Sequence, residues 1–210
     1  MVRSLWKKFL IWLTRTRFYF WLLKSVIPYI RFSMYYTSFR GWKYHDGYKL
    51  LEPGDIILTS DSKKLTTLLI GGTWTHAAQC VGKFGTSQYP GFEVAEMTHN
   101  DFTRSHFFDL CKESDRVAII RCNDYDKEYI EKLIERCLSF RDAEYDIDFD
   151  LGVTQLYCSE LCYQADFERR LKVDLSDLAG LGTQYISPTG LREAENITVV
   201  WDSSRLIGGL

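Results

Sequence analysis

The stretch Gln155-Leu156-Tyr157-Cys158-Ser159-Glu160-Leu161-Cys162 decides how this chain reads. An extended approach ends at Tyr157, and an apolar helix is expected to begin at Cys158 and run to about Arg170. A cysteine in the first turn of a helix lies at the positive end of the macrodipole, where its thiolate is favoured. Its backbone N–H has no partner within the helix and is free to donate to a developing oxyanion. Cys162 lies one turn deeper on the same face and reads as a core residue. A cysteine in such a place is more often structural than reactive, so a nucleophile at Cys158 requires a base elsewhere in the chain.

Upstream, Gly71-Gly72-Thr73-Trp74-Thr75-His76-Ala77-Ala78 supplies a candidate base. A glycine-rich turn leads to a histidine that opens a strand of small residues, His76–Val81. A strand end holds an imidazole rigidly, which an aligned thiolate–imidazolium pair needs. The plain alternative is a histidine capping a turn. His45, His99 and His106 have less constrained settings, the last two in what reads as a polar loop. A base also needs an orienting acceptor. Glu96, between Ala95 and Met97 on a strand over Phe92–Met97, is costly to bury without a partner. It reaches His76 if the two strands pair. Glu93 is the competing carboxylate, and both have the simpler reading of side chains pointing to water.

The rest of the main domain reads as α+β. Leu51-Glu52-Pro53-Gly54 is a turn signal, followed by a short strand, Asp55–Leu58. Ser62 caps an expected helix over Lys63–Ile70. Arg116–Cys122 is the clearest strand, rich in Val and Ile. Asp126 caps a helix over Lys127–Phe140, with Ile130, Leu133, Ile134 and Cys137 at helical spacing. Ile197–Trp201 is a closing strand. Helices and strands do not alternate regularly, which argues against a doubly wound sheet.

The order Gly54-Asp55-Ile56-Ile57-Leu58, Thr75-His76, Val94-Ala95-Glu96, Tyr145-Asp146, Tyr157-Cys158-Ser159-Glu160-Leu161 and Ile186-Ser187-Pro188 resembles the permuted branch of the NlpC-type papain-like superfamily, in particular its YiiX-like members. Lecithin retinol acyltransferase belongs to the same permuted group. The resemblance covers about residues 50–205. It implies a circularly permuted papain-like fold, a small antiparallel sheet packed on helices. It also implies Cys158 as nucleophile, His76 as base and Glu96 as orienting acceptor. The implied activity is that of a cysteine hydrolase or acyltransferase acting on amide or ester bonds through a thioester. Peptides, cell-wall peptides and acyl-lipids are the implied substrates. The rival is a catalytically silent structural or membrane-docking protein that keeps the fold.

Charge divides the chain into an arm, 1–45, and a catalytic domain, 46–210. The arm holds nine Lys or Arg and fourteen of the aromatics, whereas every Asp and Glu lies beyond it. Charges interrupt each apolar run, so the arm fits neither a signal peptide nor a membrane-spanning helix. Arg17, Lys24 and Arg31 recur every seven residues and share a face if the arm is helical. Such a helix suits an anionic membrane surface. Packing on its own domain, or on a second copy in a homo-oligomer, remains open. The acidic body argues against nucleic acid as a partner.

No cofactor or metal is expected. Cys158, Cys162, His76 and His99 match no common zinc spacing. The Asp146–Gly152 run fails as a calcium loop: its glycine comes one place late, and Tyr157 stands where the bidentate glutamate belongs. The six cysteines fit no disulfide scaffold, which points to a reducing compartment. The expected location is the cytoplasm, including a peripheral membrane position, or a host cell or virion if the source is viral.

Overall fold

The computed structural model describes residues 21, 42–61, 72–84, 91–112, 114–146, 149, 151–177 and 184–204. Most of the basic arm, the helix expected over 63–70, and Asp148 and Asp150 of the acidic run lie outside the described residues.

A helix, α1 (Trp42–Leu50), leads into β1 (Ile56–Ser60). Then follow β2 (His76–Phe84), β3 (Gly91–Thr98), β4 (Asp101–His106), α2 (Phe107–Lys112), β5 (Arg116–Cys122) and α3 (Lys127–Ser139). Two short strands, β6 (Glu144–Tyr145) and β7 (Gln155–Leu156), precede α4 (Cys158–Ala165). The chain closes with β8 (Ser176–Asp177), β9 (Gln184–Tyr185), α5 (Pro188–Glu193) and β10 (Ile197–Asp202). The fold is α+β, as the sequence implies.

Six strands form one sheet in the order β10-β5-β1-β2-β3-β4, with every neighbouring pair antiparallel. Strand β1 lies inside it and is buried along its whole length. Apolar clusters cover both faces, which explains why Ile56-Ile57-Leu58 is a continuous apolar run and not an alternating one. One face packs Ile57, Ala78, Val94, Phe107 and Ile119 under α1 and α2. On the other, Leu58, Ala77 and Ile120 meet Tyr157, Cys162 and Leu191, while Ala95 and Met97 meet Leu133 and Leu161.

Three differences from the sequence reading have physical causes. Residues 99–106, read as a polar loop, are a hairpin turn and the edge strand β4, which is only partly buried or exposed. An edge strand facing water carries polar side chains and loses the apolar alternation that marks a strand. Helix α4 ends at Ala165 because the Asp166 carboxylate takes the N–H groups of Arg170 and Leu171. Finally, α1 starts at Trp42 and so includes the last residues of the charge-defined arm.

Candidate active site

Register brings His76 and Glu96 together. Strands β2 and β3 pair with Gln79 opposite Ala95, which places Glu96 level with Ala78. Side chains alternate along a strand, so His76 shares the face of Ala78 and lies diagonal to Glu96. The His76 Nε2–Glu96 Oε2 distance is 2.7 Å. Glu93, three residues away, has the opposite parity and pairs with Arg104 at 2.6 Å. Strand pairing thus separates two carboxylates that the sequence leaves equivalent. Glu96 is itself held, because Ser105 Oγ on β4 donates to its Oε1 at 2.6 Å.

The entry to β2 is pinned from α5. Thr189 Oγ1 accepts the Trp74 N–H at 3.2 Å and donates to the Trp74 carbonyl at 3.3 Å. Gly72 has φ +79°, and a side-chain carbon there would come within 2.6 Å of Thr189 Oγ1. Glycine is required at that approach.

Cys158 is the first residue of α4, behind the N-cap Tyr157. The Tyr157 phenol accepts the Ile186 N–H at 2.8 Å, and Ser159 Oγ donates to the Ile186 carbonyl at 2.6 Å. These bonds hold the start of the helix against Ile186, the residue that follows β9. Burial alone would raise the Cys158 thiol. The His76 hydrogen bond and charge, with the N–H groups of Ala77 and Ser159, hold it below the ordinary thiol range instead. For His76, burial lowers the imidazole, yet its bond to the Cys158 sulfur and the nearby Glu96 carboxylate raise it from 6.5 to about 10. With Nε2 turned to Glu96, Nδ1 is left for the thiol. These opposite shifts favour a thiolate beside an imidazolium, and 25% of the His76 side chain remains open to solvent.

The other five thiols differ in kind. Burial pushes Cys80 and Cys137 up to about 12 and Cys122 to about 11, and it raises Cys111 and Cys162 well above the ordinary range. Cys162 donates its S–H to the Cys158 carbonyl, as a packed core residue does.

Four groups at the site were not assigned roles from the sequence. The Ala77 and Ser159 amides face the thiolate. Ser105 fixes Glu96 from an edge strand whose polar sequence hid it. The Tyr145 phenol is raised above its ordinary value by burial, and the charges of Cys158 and Asp146 add to the rise. Its backbone is fixed by a 2.9 Å bond from the Tyr145 N–H to Asp101 Oδ1 at the start of β4.

Residues 50–204 match the family of permuted papain-like amidase enzymes typified by YaeF and YiiX. The chain belongs to this family. The crystal structure of the metalloprotein yiiX from Escherichia coli O157:H7 has the same fold. It superposes with a TM-score of 0.56 at 16% identity, covering 70% of this chain and 95% of that one. No curated protein matches the chain. Membership in the amidase family supports cysteine hydrolase chemistry in general. Among the described residues, no group of three or more His, Cys, Asp or Glu side chains is arranged to hold a metal ion. The donors among the described residues do not fit a resident metal. No helix among the described residues is long and apolar enough to cross a membrane.

Proposed function

We propose that this protein is a thiol amidase, with Cys158 as nucleophile, His76 as general acid–base and Glu96 as its orienting acceptor. The observation that carries the reading is the relay from Cys158 through His76 to Glu96, in which the thiol is lowered and the imidazole raised. The thiolate attacks the amide carbonyl and forms a C–S bond. The Cys158 N–H is the donor on hand for the oxyanion. His76 gives its proton to the leaving nitrogen as the C–N bond breaks, which leaves a thioester. Water then loses a proton to His76 and attacks. The acid departs, and the thiolate–imidazolium pair is restored.

The pH dependence follows from the two groups. Turnover needs the thiolate, so kcat/KM rises with pH through the lowered Cys158 value, below the ordinary thiol range. It also needs the His76 proton, so it falls again near pH 10. Release of amine from a library of short acylated peptides, followed across pH, is the measurement. Substrates cleaved only as acyl-lipid esters would redirect the reading to a lipid hydrolase. No turnover of either class would favour the silent, docking protein.

We infer further that the basic aromatic arm brings this domain to anionic membranes. It supplies nine cationic side chains with no acidic one among them, each worth roughly 1 kcal/mol near an anionic surface. The full chain is expected to sediment with phosphatidylserine vesicles and to be released by salt, while a chain lacking residues 1–41 stays in the supernatant. Equal sedimentation of the two would reassign the arm to packing or oligomerisation.

A further inference from the structure

Glu160 is the third residue of the helix that Cys158 opens, and its side chain is fully buried at 0% exposure. Its Oε1 accepts the Gly152 N–H at 2.6 Å and Gln164 Nε2 at 3.2 Å. Its Oε2 is buried without a hydrogen-bond partner among the described residues. No cation pairs with it there. Arg169 Nη2 reaches only Gln164 Oε1, at 2.6 Å, and Arg136 Nε only the Gln164 carbonyl, at 2.8 Å. The charged and titratable groups around it are Asp146 and Tyr157 on the preceding segment and Cys158 on its own helix.

An ionised carboxylate in this place would be expensive. It would be desolvated, near a second acid, and in competition with the Cys158 thiolate for one helix terminus. A neutral acid avoids all three penalties and still accepts the Gly152 N–H. We propose that Glu160 is a positioning residue for the nucleophile. Held as a neutral acid, it ties Gly152 to the first turn of α4 and leaves the positive end of that helix to the Cys158 thiolate. Burial raises this carboxyl from 4.5 to about 7, against the Gly152 and Gln164 hydrogen bonds and the nearby Tyr157 N–H that lower it, and the Asp146 charge adds to the rise.

The sign of the linkage follows. The folded value lies above the unfolded one, so the stability tied to this proton is complete below about 4.5 and is lost as pH rises through about 7. Glutamine reproduces the neutral acid: its carbonyl accepts from Gly152, and its amide stands where the acid proton would.

The inference rests on the thiol-amidase reading only for its effect on Cys158, so the test has two arms. The first is urea unfolding of the full chain in a Cys158→Ala background, which contains no nucleophile. Relative to Glu160→Gln, the unfolding equilibrium constant of the chain with Glu160 should rise by a factor on the order of 100 between about pH 5 and pH 8. The second is the rate of Cys158 alkylation by iodoacetamide against pH. The wild-type profile should bend near pH 7, and the Glu160→Gln profile should follow a single titration. Glu160→Ala should label at least about tenfold more slowly at neutral pH, with Gln restoring the rate to within about threefold. Equal pH dependence of unfolding with Glu and Gln overturns the neutral-acid assignment, and so does a Gln variant no faster than Ala. If the unfolding arm holds while Cys158 labels slowly in every variant, the nucleophile reading fails and the neutral clamp stands.

Discussion

Replacing His76 with alanine should slow alkylation of Cys158 at neutral pH on the order of 100-fold and lower kcat on the order of 10³- to 10⁴-fold. Cys158 is buried, which by itself would raise its thiol. The imidazole supplies the charge and hydrogen bond that reverse this. The helix terminus and the Ala77 and Ser159 amides remain after the substitution, so some thiolate character survives. The comparison has a clean background, because burial keeps the other five thiols raised and therefore protonated near pH 7. Mapping the label by mass spectrometry tests both parts. A His76→Ala protein that labels at the wild-type rate would show that the helix alone activates the cysteine, and the acid–base role would be lost.

The largest effect on stability is expected from Asp166→Ala, which should cost on the order of 3–5 kcal/mol in urea unfolding. Asp166 is fully buried at the end of α4. Its carboxylate accepts the Tyr129 hydroxyl from α3, the Arg170 N–H at 3.1 Å and the Leu171 N–H at 2.7 Å. Alanine leaves three donors without an acceptor, and it uncouples α3 from the helix that carries Cys158. Tyr129→Phe removes one of those bonds and should cost on the order of 1 kcal/mol. A cost under about 1 kcal/mol for Asp166→Ala would mean that water or a rearranged chain satisfies the donors, and that this junction is not what holds α4.

Much of the site was legible because its signals are local. A cysteine after an extended run, a histidine after two glycines, and Asp126 before a periodic apolar run each carry their meaning within a few residues. The Asp126 cap forms as expected, its carboxylate accepting the Tyr129 N–H at 2.9 Å. What stayed hidden depends on partners distant in sequence. The choice between Glu93 and Glu96 needed the β2–β3 register, which contains an irregularity between Cys80 and Gly82. Ser105 needed an edge strand with no apolar stripe. The arrest of α4 at Ala165 needed a side chain that competes with the helix for backbone N–H groups. Arg169, at φ +55°, shows that the backbone leaves helical geometry there.

The chain order of the relay has a consequence for the making of the protein. The ribosome delivers the segment with His76 and Glu96 first and the segment with Cys158 some sixty residues later. Until α4 has emerged and docked, the nascent chain holds a base with nothing to activate. Once Cys158 emerges, its thiol stays near an ordinary value until it reaches His76. On the thiol-amidase reading, a half-synthesised molecule is therefore silent toward amide bonds, because its relay is completed only by the segment made last.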